Sequence, residues 1–140
     1  MTKSRHESCK GDRALVNLIA AAMRKVWHRH ANREAVIKAA HYTVQEHKKD
    51  GTPKASISHF WTCALCGQAC KQTASSKYPR FHVDHIDPVI PIGREVSWDE
   101  YIERLFFSGR GNLQVLCTNC HSTKTKSETS LRAEVRRKAK

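Results

Sequence analysis

Phe81-His82-Val83-Asp84-His85-Ile86-Asp87-Pro88-Val89 is the stretch on which the reading of this chain turns. An adjacent Asp–His pair stands inside an apolar, strand-like run that Pro88 and Pro91 interrupt. A Cys-x-x-Cys pair lies on either side of it, Cys63/Cys66 before and Cys117/Cys120 after. Neighbours on a strand point to opposite faces, so Asp84 and His85 can divide two tasks, one holding a cation and the other handling a proton. Alone the dipeptide is weak and fits a surface pair equally well. Its place between two thiol pairs, with Asn112 and His121 flanking the second pair, is what gives it weight.

Four thiolates form a closed tetrahedral site for a structural Zn²⁺ ion, with no position left for substrate. The 50 residues of 67–116 that separate the pairs exceed the ~15–20 of a typical zinc ribbon. The insertion therefore reads as a working segment tied at both ends. Buried free thiols or a disulfide are the alternatives. Cys70 is an extra thiol beside Cys66 that can replace a ligand, although the tight pairs are the better choice. Cys9 receives no role, and neither do the scattered His6, His28, His30, His41, His47 and His59.

Composition agrees with a small, stapled domain. The chain has 140 residues, 7% of them aromatic, and a mean hydropathy of −0.62, so its core is modest and needs a metal or disulfides. No apolar stretch follows Met1-Thr2-Lys3-Ser4-Arg5 as in a secretory leader, so a reducing, cytoplasmic setting is expected, where paired cysteines read as metal ligands first. No apolar run approaches the ~18 residues of a membrane span, and no membrane partner is expected. Net charge is +12 and pI ≈ 9.8, which points to a polyanion. Residues 1–60 carry 12 Lys/Arg against 5 Asp/Glu and 121–140 carry 7 against 2, while 61–120 hold 6 of each. Basic arms thus flank a neutral centre.

Residues 1–11 show no periodicity and are expected to be disordered. Leu15, Leu18, Ile19, Met23, Val26 and Trp27 predict a helix capped by Asp12, with Arg24 and Lys25 near its end. Asn32 can cap a second helix with Ala35, Val36, Ala39, Ala40 and Val44 on its apolar side, stopped by Asp50-Gly51-Thr52-Pro53. Trp61 to Gly67 reads as a zinc knuckle. Ser97-Trp98-Asp99-Glu100 is a capping box that opens a helix burying Tyr101, Ile102, Leu105 and Phe106. Asn112 to Cys117 alternates as a strand. Thr118 or Asn119 then caps a basic helix running from near Cys120 into Arg132, Arg136, Arg137 and Lys138.

Together, Cys63-x-x-Cys66, His82-Val83-Asp84-His85-Ile86-x-Pro88-Val89, Asn112 through Cys117-x-x-Cys120-His121 and Lys124-Thr125 resemble the HNH endonucleases. More narrowly they resemble the small zinc-knuckle HNH proteins of bacteriophages, of homing or packaging type. The segment from Ser97 to Phe106 is also similar to one that such proteins carry. The likeness covers about residues 60–126. It implies an α+β protein with a ββα-metal core and a four-cysteine zinc knuckle, preceded by two helices and ending in a basic helix. Three segments are expected: a disordered 1–11, a helical DNA-contacting region 12–55 and a nuclease domain 56–140.

Carried over by position, His85 is the general base and Asn112 orients its loop. Asp84 and His121 hold a catalytic Mg²⁺ or Mn²⁺, the imidazole extending the choice to Ni²⁺ or Zn²⁺. Lys124 contacts a phosphate, and Lys126, Arg132, Arg136 and Arg137 join it in binding DNA. His82 packs or touches DNA, and Asp87 is a turn residue. The implied activity is hydrolysis of DNA phosphodiester bonds in the cytoplasm of a phage-infected bacterium, with a homodimer or a phage protein partner left open. The rival reading is a non-catalytic zinc protein that binds DNA or a terminase.

Overall fold

The computed structural model describes residues 2–140 and is a mixed α+β protein. Helix α1 spans Arg5–Ser8, α2 Arg13–Trp27 and α3 Ala31–Ala40. Strands β1 (His41–His47), β2 (Pro53–Thr62) and β3 (Ala69–Cys70) form one antiparallel sheet in that order. Strand β4 (Phe81–His85) pairs antiparallel with β5 (Leu113–Cys117), and α4 (Trp98–Phe106) lies between them in sequence. The chain closes with α5, Thr118–Lys138, which packs against both β4 and β5. No helix among the described residues is long and apolar enough to cross a membrane.

Two packed centres position everything else. In one, Ala20 and Trp27 of α2 meet Val96, Tyr101 and Leu105 around α4 and Leu113 of β5. In the other, Cys63, Cys70, Leu116 and Cys117 are buried with Trp61 and Phe81 against them. The first centre joins α2 directly to α4 and β5. The boundary expected between residues 55 and 56 falls inside β2.

Several expectations are corrected. The segment expected to be disordered contains helix α1, on which Ser4 and Glu7 form a reciprocal capping box. Arg5 is 4% exposed, its N–H donates to the Val96 carbonyl at 2.9 Å, and its guanidinium lies 4.7 Å from the centre of the Tyr101 ring. A buried cation over aromatic faces gives a polar segment a packing role that hydrophobic periodicity does not reveal. Arg5→Ala is therefore expected to lower stability by roughly 1–2 kcal/mol, read as a fall in the thermal midpoint. An unchanged midpoint would show that α1 is merely laid on the surface.

The buried stripe of α2 is Val16, Ala20, Met23 and Trp27, while Leu15, Leu18 and Val26 face solvent. Asp12 caps it as expected, its carboxylate accepting from the Leu15 N–H at 3.1 Å. The second helix ends at Ala40 rather than near Asp50, and its cap is His30, whose Nδ1 accepts from the Asn32 N–H. From His41 the chain turns into a β-hairpin. Asp50 accepts from the Thr52 N–H at 3.0 Å, and Gly51 at φ +85° supplies the turn. The Asp-Gly signal thus closes a hairpin instead of stopping a helix. Helix α4 follows the reading in part: Ser97 accepts from the Glu100 N–H, but the Glu100 carboxylate pairs with Arg94 instead of closing a capping box. Only Tyr101 and Leu105 are buried, while Ile102 and Phe106 are half-buried. Helix α5 starts already at Thr118, because Cys117 itself is the cap.

Candidate metal and catalytic site

The four paired cysteines converge. Cys63 directly follows β2, and Cys66 comes next in a turn closed by the Gly67 N–H on the Cys63 carbonyl, with Gly67 at φ +73°. The Ala64 N–H donates to the Val115 carbonyl at 2.8 Å, which fastens the turn to β5. Cys117 and Cys120 sit at the start of α5, where the Cys120 N–H donates to the Cys117 sulfur. All four sulfurs lie within 4.8 Å of one another, and the group can hold a metal ion such as zinc.

The spacing fits that use. Cys66 Sγ and Cys117 Sγ are 3.8 Å apart, about the ~3.8 Å edge of a tetrahedron with ~2.3 Å metal–sulfur bonds and far from a ~2.05 Å disulfide. Burial alone would raise the Cys63 thiol, but N–H groups of Cys117, Cys66 and Leu65 outweigh it and bring it down to about 6. Hydrogen bonding with the Cys117 and Cys66 sulfurs pushes Cys120 up to about 12. Thiols so crowded cannot all ionise by themselves, and a divalent cation at their centre would remove the conflict. Cys70 stands apart, since burial pushes its thiol up to about 11 and its sulfur donates to the Gln68 carbonyl.

Strand β4 then divides Asp84 from His85 as alternation requires. Asp84, like His82 two residues earlier, faces α5. Its Oδ2 lies 3.1 Å from Lys124 Nζ and accepts from Gln114 Nε2 at 3.0 Å. Lys124 also donates to the His85 carbonyl at 2.9 Å and to Glu128, so its ammonium sits among three oxygens. Lys124 thus neutralises Asp84 and braces the backbone of His85.

The His85 ring points the other way, toward α4 and α2. Its Nε2 is 3.1 Å from the Leu105 carbonyl. A carbonyl can only accept, so Nε2 carries the proton and Nδ1 keeps its lone pair. Burial holds the imidazole pKa below its usual value, against the raising effects of the Leu105 bond and Asp84. Lys124 and Arg104 add to the lowering.

Asn112 grips the segment after His85. Its side chain accepts from the Asp87 N–H at 2.8 Å and donates to the Asp87 carbonyl at 3.2 Å, and its own carbonyl receives the Ile86 N–H at 2.8 Å. Arg104 holds the same loop from α4, donating to the Asp87 carboxylate, the Pro88 carbonyl and the Val89 carbonyl at 2.8–3.0 Å. Asp87 is thus a clamped residue and not only a turn former. Arg104 escaped the sequence reading, because nothing in an amphipathic helix shows which loop its polar face meets.

His121 stacks on His82, with ring centres 4.7 Å apart and planes 7° from parallel. It stands about one helical turn before Lys124, so the structure brings Asp84 together with Lys124 and Glu128, and His121 with His82. Arg132 donates to the Ile90 carbonyl, while Lys126, Arg136 and Arg137 are exposed along α5. Asp84, His85 and Lys124 open onto a cavity of about 360 Å³ whose far wall is Arg24, Trp27 and His28 of α2 and the turn after it. No protein-family model, curated protein or solved structure matches the chain.

Proposed function

We propose that the protein is a metal-dependent endonuclease of the HNH type, hydrolysing DNA phosphodiester bonds to 5′-phosphate and 3′-hydroxyl ends. The observation that carries this reading is His85. A half-buried imidazole has its protonated nitrogen tied to a backbone carbonyl, its free nitrogen left as a base, and its following loop gripped by Asn112. A general base needs that combination of fixed tautomer, fixed ring and neutral charge near pH 7. The β4–β5 pair with α5 across it is the arrangement expected of a ββα-metal core, and the four cysteines would tie its two halves with a structural Zn²⁺.

In this reading Nδ1 of His85 takes a proton from the attacking water as the water oxygen bonds to phosphorus and the P–O3′ bond breaks. Asp84 and His121 would hold a Mg²⁺ or Mn²⁺ ion, with Ni²⁺ or Zn²⁺ as options that an imidazole ligand favours. When bound, such an ion would supply charge stabilisation for the scissile phosphate and the departing 3′ oxygen. The carboxylate–imidazole donor set fits a cation held by few protein ligands, provided Lys124 releases Asp84. The basic flanks, including Lys126, Arg136 and Arg137, would follow the DNA backbone, which predicts an affinity that falls steeply with salt. A phage-encoded homing-type role, acting in the host cytoplasm, is the biological setting the resemblance suggests.

Incubating supercoiled plasmid with the protein and Mg²⁺ or Mn²⁺ tests the reading, with nicked or linear DNA expected. Intact plasmid despite normal DNA binding would favour the rival, a non-catalytic zinc-binding accessory of DNA or of a terminase. The ion pair between Lys124 and Asp84 is the observation that gives that rival its standing. The pH profile provides a second check. Only neutral His85 can accept a proton, and burial lowers its pKa, so the acidic limb of the rate should lie below the ~6.5 of a free imidazole. A limb at or above that value would point to another base.

A further inference from the structure

The resemblance to HNH proteins begins near residue 60, yet a residue from well before it packs against the His85 ring. Trp27, the last residue of α2, is 6% exposed, and its ring centre lies 4.9 Å from that of His85 at 41°. The indole is itself held by the His30 ring at 5.5 Å and by the edge of Phe106 at 6.4 Å. It shares a core with Leu105, the residue whose carbonyl receives the His85 Nε2–H.

A single hydrogen bond leaves an imidazole free to pivot about that bond. A rigid ring packed beside the imidazole restricts that pivot, and Trp27, tilted 41° to His85, supplies one. Arg24, one turn earlier on α2, is exposed and opens onto the same cavity as Asp84, His85 and Lys124. No hydrogen bond or ion pair among the described residues occupies its guanidinium. A planar cation at the rim of a cavity that contains a general base is placed to receive a phosphate.

We infer that the last turn of α2 is a working wall of the candidate site, in which Trp27 positions the His85 imidazole and Arg24 binds a phosphate of the DNA backbone. The inference rests on the nuclease reading for its chemistry and on the α2–β4 packing for its geometry. It makes the N-terminal helix part of the reaction centre, beyond the general contact with DNA that its charge suggested.

Mn²⁺-supported cleavage by the full chain separates the two roles. Trp27→Met keeps a flexible apolar side chain there without a rigid ring, and kcat should fall about 10- to 100-fold with KM for DNA within about twofold. Trp27→Phe should restore most of the rate. In a proton–carbon spectrum the His85 ring signals, displaced by the indole in the wild type, should move in Trp27→Met and largely return in Trp27→Phe. Arg24→Gln should raise KM for DNA several-fold, leave kcat alone and leave the His85 signals in place. Being exposed, it also provides a result if the Trp27 variants fail to fold. A cutting wild type whose Trp27→Met and Arg24→Gln variants match it overturns the inference alone. A wild type that binds Mn²⁺ and DNA but cuts nothing overturns the nuclease reading and the inference with it.

Discussion

Replacing Cys117 by Ser, or stripping the chain with a strong chelator, is expected to abolish the cooperative thermal transition. Cys117 has four tasks at one position: it is a member of the sulfur cluster, it caps α5, it pairs with Phe81 at the end of β4–β5, and it is fully buried. Binding of structural zinc is worth on the order of 10–16 kcal/mol in small zinc-finger peptides, which exceeds the ~5–15 kcal/mol net stability of a typical domain. The remaining packing around Leu116 and Phe81 cannot replace it. Metal analysis should find one zinc per chain, and Cys70→Ser should keep that ratio, since Cys70 stands outside the cluster. A chelated protein that melts at its normal temperature would show that the thiols are only packed together.

His85→Ala is expected to lower the single-turnover cleavage rate by about 10²–10⁴ and to leave DNA affinity within about twofold. The side chain lines the cavity beside Trp27 and Leu105, so its loss should remove the proposed base and leave the exposed Lys126, Arg136 and Arg137 of α5 in place. Asn112→Ala should behave differently. It deletes two hydrogen bonds to Asp87 and costs roughly 1–3 kcal/mol of stability, while lowering the rate less than His85→Ala because Arg104 still holds the loop. Melting curves beside rate measurements distinguish the two. If Asn112→Ala loses all activity at an unchanged melting temperature, Asn112 does more than hold the loop.

Local rules carried much of this fold. A serine three residues before a glutamate predicted α4, and paired cysteines predicted the metal cluster, because caps and ligand spacings are written in adjacent residues. The failures share a cause. Ala35, Val36, Ala39, Ala40 and Val44 keep a helical period across the point where the chain changes into β1, and an Asp-Gly pair can end a helix or close a hairpin equally well. Strand β2 begins Pro53-Lys54-Ala55-Ser56, polar and exposed, and its identity comes from pairing with β1. Arg5 and Arg104 are polar residues whose partners lie about 90 and 15 positions away, beyond any local signal. At the candidate site, nothing local in the sequence shows that Lys124 meets Asp84 or that His121 meets His82.

The β1–β2 hairpin is joined to the rest of the fold at its root, where Phe60 is buried and Trp61 lies against Phe81, while residues 47–57 are exposed on both faces. Its outer part, residues 47–57, could therefore be lengthened or nicked at Lys48-Lys49 without disturbing either packed centre. A protein engineer could graft a new ribbon there for the same reason.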